Sequence, residues 1–382
     1  MRQVRNCALW ALYLCLVAVS AQARTKSQQT SIVAIESQAD SLYQQQKYSE
    51  AFAAYQQGAG LGSTKSQIFL GYMYATGTGI AKDPEQAFNW IGKAAEQENV
   101  NAECLLGAMY QGGLGTSQDY AQALTWYGKA AQQGNPSAEN SLGLLYYHGR
   151  GTTQDYARAF AWFSRAADQG LPDAEYDLGS MYFRGLGTAQ DYAQAFAWYS
   201  KAAQQGLASA QSDLGEMYYQ GMGTAQDYAQ AIAWFNKAAN QGNPNAQHSL
   251  GFMYQEGSGI AQDYAQAIAW YSKAAQQGYA PAEDDLGFLY YRGLGTVQDY
   301  AQAIAWFNKA AGQGSATAES NLGYMYLKGL GVVQDWRQAR AWLLKAADQG
   351  SDSAKRWLAS MEEQTPPSVQ SAANPGDHTT RN

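Results

Sequence analysis

The sequence predicts an all-α protein, a solenoid of antiparallel helix pairs, and three regularities carry that expectation. Tryptophan recurs at Trp90, Trp126, Trp162, Trp198, Trp234, Trp270, Trp306 and Trp342, each 36 residues after the last and with no insertion. In register run Gly71, Gly107, Gly143, Gly179, Gly215, Gly251, Gly287 and Gly323. Most copies then close on Gln-Gly, from Gly134 through Gly170, Gly206, Gly242, Gly278 and Gly314 to Gly350. A fixed period in this range marks stacked supersecondary units, none of which buries its apolar side alone.

Residues 1–23 read as a secretory signal. Arg2 and Arg5 supply a positive start, Cys7 to Val19 an apolar run, and Ala21-Gln22-Ala23 the small residues that favour cleavage before Arg24. That run is too short to span a bilayer comfortably. Residues 24–61 form an N-terminal capping unit. There Tyr48-Ser49-Glu50-Ala51-Phe52 falls in phase with the second helices, but no Gly-x-Gly segment precedes it.

One unit, residues 135–170, shows how residues 62–350 are built. Ser137 to Tyr147 carries Ala138, Leu142, Leu145 and Tyr146 at helical spacing, an apolar stripe. Gly149-Arg150-Gly151 ends this first helix, the first glycine suiting a left-handed cap. Asp155 is placed to cap a second helix, and in sister copies Gln122 after Asp119 and Gln230 after Asp227 suggest a capping box. Ala159, Trp162, Phe163, Ala166 and Ala167 form the apolar face of the second helix, with Arg165 near its negative end. The mid-helix glycine costs about 1 kcal/mol relative to alanine. Its recurrence implies a close helix approach there, with the tryptophan filling the adjacent space. Residues 351–363, with Ala354, Leu358 and Met361, read as a capping helix, and 364–382 as a disordered tail.

These residues resemble the Sel-1-like repeat proteins, relatives of the tetratricopeptide class. Ala138, Leu142-Gly143, Tyr146, Gly149 and Gly151 carry the first half of the motif; Asp155-Tyr156, Ala159, Trp162, Ala166-Ala167 and Gly170 carry the second. The capping unit at 24–61 looks more like a tetratricopeptide repeat. The resemblance implies a right-handed superhelix whose first helices line the concave side, and a role as adaptor or scaffold, as in bacterial envelopes. Some relatives carry a disulfide in each repeat. Here Cys104 is the only cysteine after the signal, so no intramolecular disulfide is expected.

Composition narrows the function. Charged residues make up 15% and the net charge is −7, with no basic run, which disfavours nucleic acid and a polybasic membrane mode. His148, His248 and His378 are scattered, so neither a metal site nor a nucleophile–base pair is expected, nor any cofactor. His148 and His248 read as surface polar residues. Asp177, Asp213, Asp284 and Asp285 read as a solvated acidic face, with a catalytic pair as the sharper alternative. Some relatives are linked to β-lactams, but Ser-x-x-Lys and Lys-Thr-Gly are absent.

Copies of the second helix hardly differ; copies of the first differ in three columns. The first holds Tyr176, His248 and Asp284, the second Phe252, Phe288 and Tyr324, the third Tyr147 and Tyr219. Aromatic side chains there are candidate anchors: Tyr147, Tyr176, Tyr219, Phe252, Phe288 and Tyr324. An equal alternative is that many of them, the third column above all, pack on the next unit. The expectation is an exported, monomeric, non-enzymatic scaffold, periplasmic or secreted, that binds a protein or peptide. A weak envelope hydrolase using first-helix carboxylates and a wall-glycan binder are the alternatives.

Overall fold

A computed structural model describes residues 28–364; the signal segment 1–23 and the tail beyond Gln364 lie outside the described residues. Among the described residues all regular structure is helical. The described residues form two compact units, divided between Asp191 and Tyr192. The first holds α1 (28–44), α2 (Tyr48–Gly60), α3 (Thr64–Thr76), α4 (Pro84–Ala95), α5 (Val100–Gly112), α6 (Tyr120–Gln132), α7 (Pro136–His148), α8 (Tyr156–Asp168) and α9 (Pro172–Arg184). The second holds α10 (Tyr192–Gln204), α11 (Ala208–Gln220), α12 (Tyr228–Asn240), α13 (Pro244–Glu256), α14 (Tyr264–Gln276), α15 (Ala280–Arg292), α16 (Tyr300–Gly312), α17 (Ala316–Lys328), α18 (Trp336–Asp348) and α19 (Asp352–Gln364). Within each unit every helix packs mainly on the one before and the one after, the arrangement of a solenoid of helix pairs.

Each core layer joins the second helix of one repeat to the first helix of the next. In the first unit Ala123, Tyr127, Ala130 and Ala131 of α6 meet Ala138, Leu142 and Leu145 of α7. In the second unit Ala267, Tyr271, Ala274 and Ala275 of α14 meet Ala282, Leu286 and Leu289 of α15. The late Ala-Ala pair is fully buried because α6 and α7, or α14 and α15, cross there with nothing larger between them.

The mid-helix glycine has a different partner from the one expected. A Cβ on Gly107 would stand 2.7 Å from Tyr127, and one on Gly287 2.8 Å from Phe307. The residue that fills the space is therefore the one after the tryptophan. The tryptophans are only half-buried. They point about 100° away around the helix, and Trp162 and Trp306 close the rims of the α6/α7 and α14/α15 layers. Each of the eight carries the Lys or Arg three residues later over its ring, as with Lys201 Nζ at 3.6 Å from the ring of Trp198 and Arg165 at 4.7 Å from that of Trp162. A cation over an indole face contributes about 0.5–1 kcal/mol at such exposed sites.

The loops repeat as faithfully as the helices. The first helix ends with a left-handed glycine, Gly149 at φ 67°, and Arg150 N–H reaches back to Leu145 O at 3.0 Å, a Schellman closure. The second glycine seats the loop on the preceding repeat: a Cβ on Gly151 would lie 2.5 Å from the backbone carbonyl of Tyr120 at the start of α6. Gln154 Nε2 then donates to Tyr147 O at 2.9 Å and satisfies one of the open carbonyls at the end of α7. Asp155 caps α8 by accepting from Arg158 N–H at 2.9 Å. The capping box is only half made. Asp119 and Asp227 accept from Gln122 and Gln230 N–H, but their own N–H groups donate to Tyr110 O and Tyr218 O, so the glutamine side chain has no donor to return to.

A buried polar ladder links the repeats. Glu103, Glu139, Glu283 and Glu319 are buried on first helices, with Gln67, Gln211 and Gln247 at the same place in other copies. Each accepts from a glutamine thirty residues later, in most copies that of the Gln-Gly pair, as in Gln169 to Glu139 at 2.7 Å and Gln313 to Glu283 at 2.8 Å. Arg165 adds an ion pair to Glu139 at 2.8 Å. The Gln-Gly pair thus does more than stop the second helix.

At the N-terminus α1 and α2 form a pair whose tight turn places Gln46 at φ 61°, in place of the glycine loop. At the C-terminus Ala354 and Met361 of α19 are buried against Leu327 and Leu343. Gln364 closes α19.

Candidate binding surface on the first helices

The three variable columns differ in burial, which follows from their angular positions on the first helix. The column of Tyr176, His248 and Asp284 turns towards the neighbouring repeat and is buried or half-buried throughout. The column of Phe252 and Phe288 follows the mid-helix glycine and turns outward: the two phenylalanines are 36% and 40% exposed. In the third column Tyr219 and Tyr291 are half-buried against the next core layer, while Leu327 is fully inside.

Two cavities open on this face of the second unit. The first, of about 200 Å³, is lined by Glu216 and Tyr219 of α11, Phe235 of α12, and His248, Ser249 and Phe252 of α13. Tyr219 and Phe252 meet edge to face with ring centroids 6.3 Å apart. The second, of about 230 Å³, lies among Phe288, Tyr291, Phe307, Tyr324, Ser353 and Trp357. Tyr324 and Trp357 tilt together there at 4.6 Å. Of the six candidate anchors, Tyr219 and Phe252 share the first cavity, and Phe288 and Tyr324 share the second. Tyr147 and Tyr176 are half-buried in the first unit, Tyr147 between the rings of His148 and Tyr156, and line neither cavity.

His248 and the acidic residues are placed otherwise than expected. His148 is exposed, but His248 is half-buried behind the first cavity, its Nε2 2.7 Å from Asp285 Oδ2 and its ring against Tyr271 and Tyr279. Burial pushes the Tyr279 hydroxyl up from its ordinary range, and the charges of Asp285 and Glu216 add to the shift. Asp284 is no solvated carboxylate. Burial raises it to about 6 although Ser315 Oγ donates to it at 2.8 Å. Asp177 is raised to about 7 by burial and by Asp173, against a hydrogen bond with Asn140. Asp177 thus meets Asn140 of the preceding first helix, and Asp284 meets Ser315, the cap of the next one. Cys104 is a free, half-buried thiol, and burial raises its pKa.

Sequence reasoning passed over Trp357 and Ser353 because they lie in the capping helix, outside the period. It also passed over the buried Glu/Gln column, whose signal was present: an ionisable residue in the buried stripe, always followed thirty residues later by glutamine. Among the described residues no group of metal-ligating side chains lies together, and no helix is long and apolar enough to cross a membrane.

The chain matches the Sel1 repeat family model at residues 64–99, 100–135, 136–171, 172–207, 208–243, 244–279, 280–315 and 316–351. Among solved structures it is similar to a protective antigen present in uropathogenic Escherichia coli strains. That match has 38% identity and a TM-score of 0.72, over 81% of this chain and 67% of that one. A Sel1 repeat protein from Oxalobacter formigenes matches at 33% identity and a TM-score of 0.61, over 80% of this chain and 90% of that one. Among curated proteins none matches significantly. The geometry of the repeat and these likenesses agree: the chain belongs to the Sel1 repeat family, whose members are generally scaffolds for protein–protein interaction.

Proposed function

We propose that the chain is an exported, non-enzymatic scaffold that binds a protein or peptide on the outward face of its first helices. One observation carries the reading. Phe252 and Phe288 hold a column that other copies fill with Ala108, Ser180 and Glu216, are exposed, and each border a cavity. An exposed aromatic beside a pocket has the character of an interface hot spot, whereas a core residue would be large in every copy. The family's general role and the signal-like first residues support the same reading.

The test is affinity capture of proteins from a cell-envelope extract, with the wild type and F252S/F288S compared side by side. The double variant should melt at nearly the wild-type temperature and lose the partner, at a cost of about 2 kcal/mol or more in affinity. Equal capture by the two proteins would refute the reading. Export is tested separately, by N-terminal sequencing of the mature protein, which should begin at Arg24.

A further inference from the structure

The second unit segregates charge between its two helix sets. Second helices α12, α14 and α16 balance one lysine each against their capping aspartates Asp227, Asp263 and Asp299; α18 carries Arg337, Arg340 and Lys345 against Asp335 and Asp348. The first helix α11 carries Asp213 and Glu216 and no base, α13 carries Glu256, and α15 sets Glu283, Asp284 and Asp285 against Arg292. The lysines of the second helices are already engaged, each lying over its own tryptophan. The face that bears the cavities is therefore the acidic one.

The first cavity sharpens this into a site. Its walls combine one carboxylate, Glu216, with the rings of Tyr219, Phe235 and Phe252 and the imidazole of His248. Gln220 donates to Glu216 Oε1, and Oε2 has no protein partner among the described residues. Behind it Asp285 Oδ2 lies 2.7 Å from Nε2 of His248 and holds that imidazole. Elsewhere the chain supplies its own cations to aromatic rings: on the second helices Lys or Arg covers each of the eight tryptophans, and on the first-helix face Arg292 lies 6.0 Å from the ring of Phe288. Among the described residues no lysine or arginine lies over Tyr219 or Phe252. The cavity has the two parts of a cation site, aromatic walls and a counter-charge, without a Lys or Arg of the chain over its rings, and its one imidazole, His248, is taken up by Asp285.

We infer that this cavity receives a lysine or arginine side chain from a peptide partner, the charge against Glu216 and the stem or guanidinium against Tyr219 and Phe252. The second cavity, aromatic and without a carboxylate, takes an apolar residue of the same partner, so the segment recognised is basic and apolar together. This inference rests on the reading of the face as a peptide-binding surface and adds the partner's chemistry to it.

The experiment is a selection of random displayed peptides on the whole immobilised protein, followed by binding measurements on synthetic copies of the winners. The expected result is enrichment of Lys or Arg beside aromatic or aliphatic residues, and weaker binding at high salt. Glu216→Gln, which keeps the size and the hydrogen bond from Gln220, should weaken these peptides by roughly tenfold, about the loss of one desolvated charge contact. Glu85→Gln, on the second-helix side of the first unit, should leave them unchanged and so separates a local site from general attraction. Circular dichroism melting of both variants checks the fold.

Enrichment of neutral or acidic peptides that still depend on Phe252 and Phe288 would overturn the cation site and leave the peptide-binding surface standing. Basic peptides indifferent to Glu216 would overturn the assignment to this cavity. A selection that enriches nothing would count against both readings.

Discussion

A Cβ placed on Gly143 would stand 2.6 Å from Cε1 of Phe163, closer than real Cβ contacts come. The two residues belong to α7 and α8 of the same repeat, and Gly71, Gly107, Gly215, Gly251, Gly287 and Gly323 meet the counterparts of Phe163 in the same way. Alanine at position 143 would be the better helix former by about 1 kcal/mol. The ring cannot yield, because it is itself buried to 1% exposure. Gly143→Ala should therefore lower stability, by about 1–3 kcal/mol, the cost of overfilling a packed site. Urea denaturation checks this, and a variant more stable than the wild type would show that the ring has room to move.

Truncating neighbours on the second helix should rank them by burial and not by invariance. Phe307→Ala should cost about 3–5 kcal/mol, as a cavity in the core. Trp306→Ala should cost less, about 1–2 kcal/mol, since it removes a half-buried ring and a cation contact. Chemical denaturation of the two variants gives the order directly.

This pair also marks how far the sequence could be read. Period, helix pairing, left-handed glycines and aspartate caps all follow from residue types with strong local preferences, so they were legible. The tryptophan column misled because it never varies, although the residue behind it is the one inside. Invariance here reflects the cation contact and the rim of the neighbouring layer, while the core position accepts Ile91, Tyr127, Phe163 or Leu343, any large side chain that fills the space on the glycine. For the surface, the outward turn of Phe252 and Phe288 was legible, because a column that also holds serine and glutamate cannot be core. The burial of Asp177 and Asp284 was not, since it depends on the neighbouring repeat and leaves no trace in the helix that carries them.

The buried ladder makes a contrast between two substitutions. Glu283→Gln should be tolerated, because Gln211 and Gln247 already accept the same bond elsewhere, at 2.8 Å in each case. Gln313→Ala should cost about 1–3 kcal/mol, because it leaves a buried carboxylate without its donor. Thermal melts of the two variants measure the difference, and equal losses would count against the ladder.

Acidity should stabilise the protein over the mildly acidic range. Burial raises Asp177 to about 7 and Asp284 to about 6, and also raises Glu103, Glu139 and Glu283. A carboxyl whose folded pKa lies above its unfolded value binds its proton more tightly in the folded state. Its contribution is then full below the unfolded value and is lost as pH rises through the folded one. Asp40 works the other way, held down by Lys65 and Tyr55 against the upward push of burial, but its effect falls below the unfolded aspartate range. The melting temperature should thus be higher at about pH 5 than at about pH 8, and Asp177→Asn should shrink the difference.

The seat of Gly151 on the carbonyl of Tyr120 has one more consequence, for how such an array can change in length. Within each unit the seat recurs between adjacent copies, and from Gly113 onward each loop also places a glutamine under the carbonyl seven residues back. A single added or lost residue between those two points would break both at once. A whole copy gained or lost would break neither, because the new junction repeats a contact that already exists. The spacing of these loops therefore acts as a reading frame for the fold, open to duplication in whole units and closed to anything smaller.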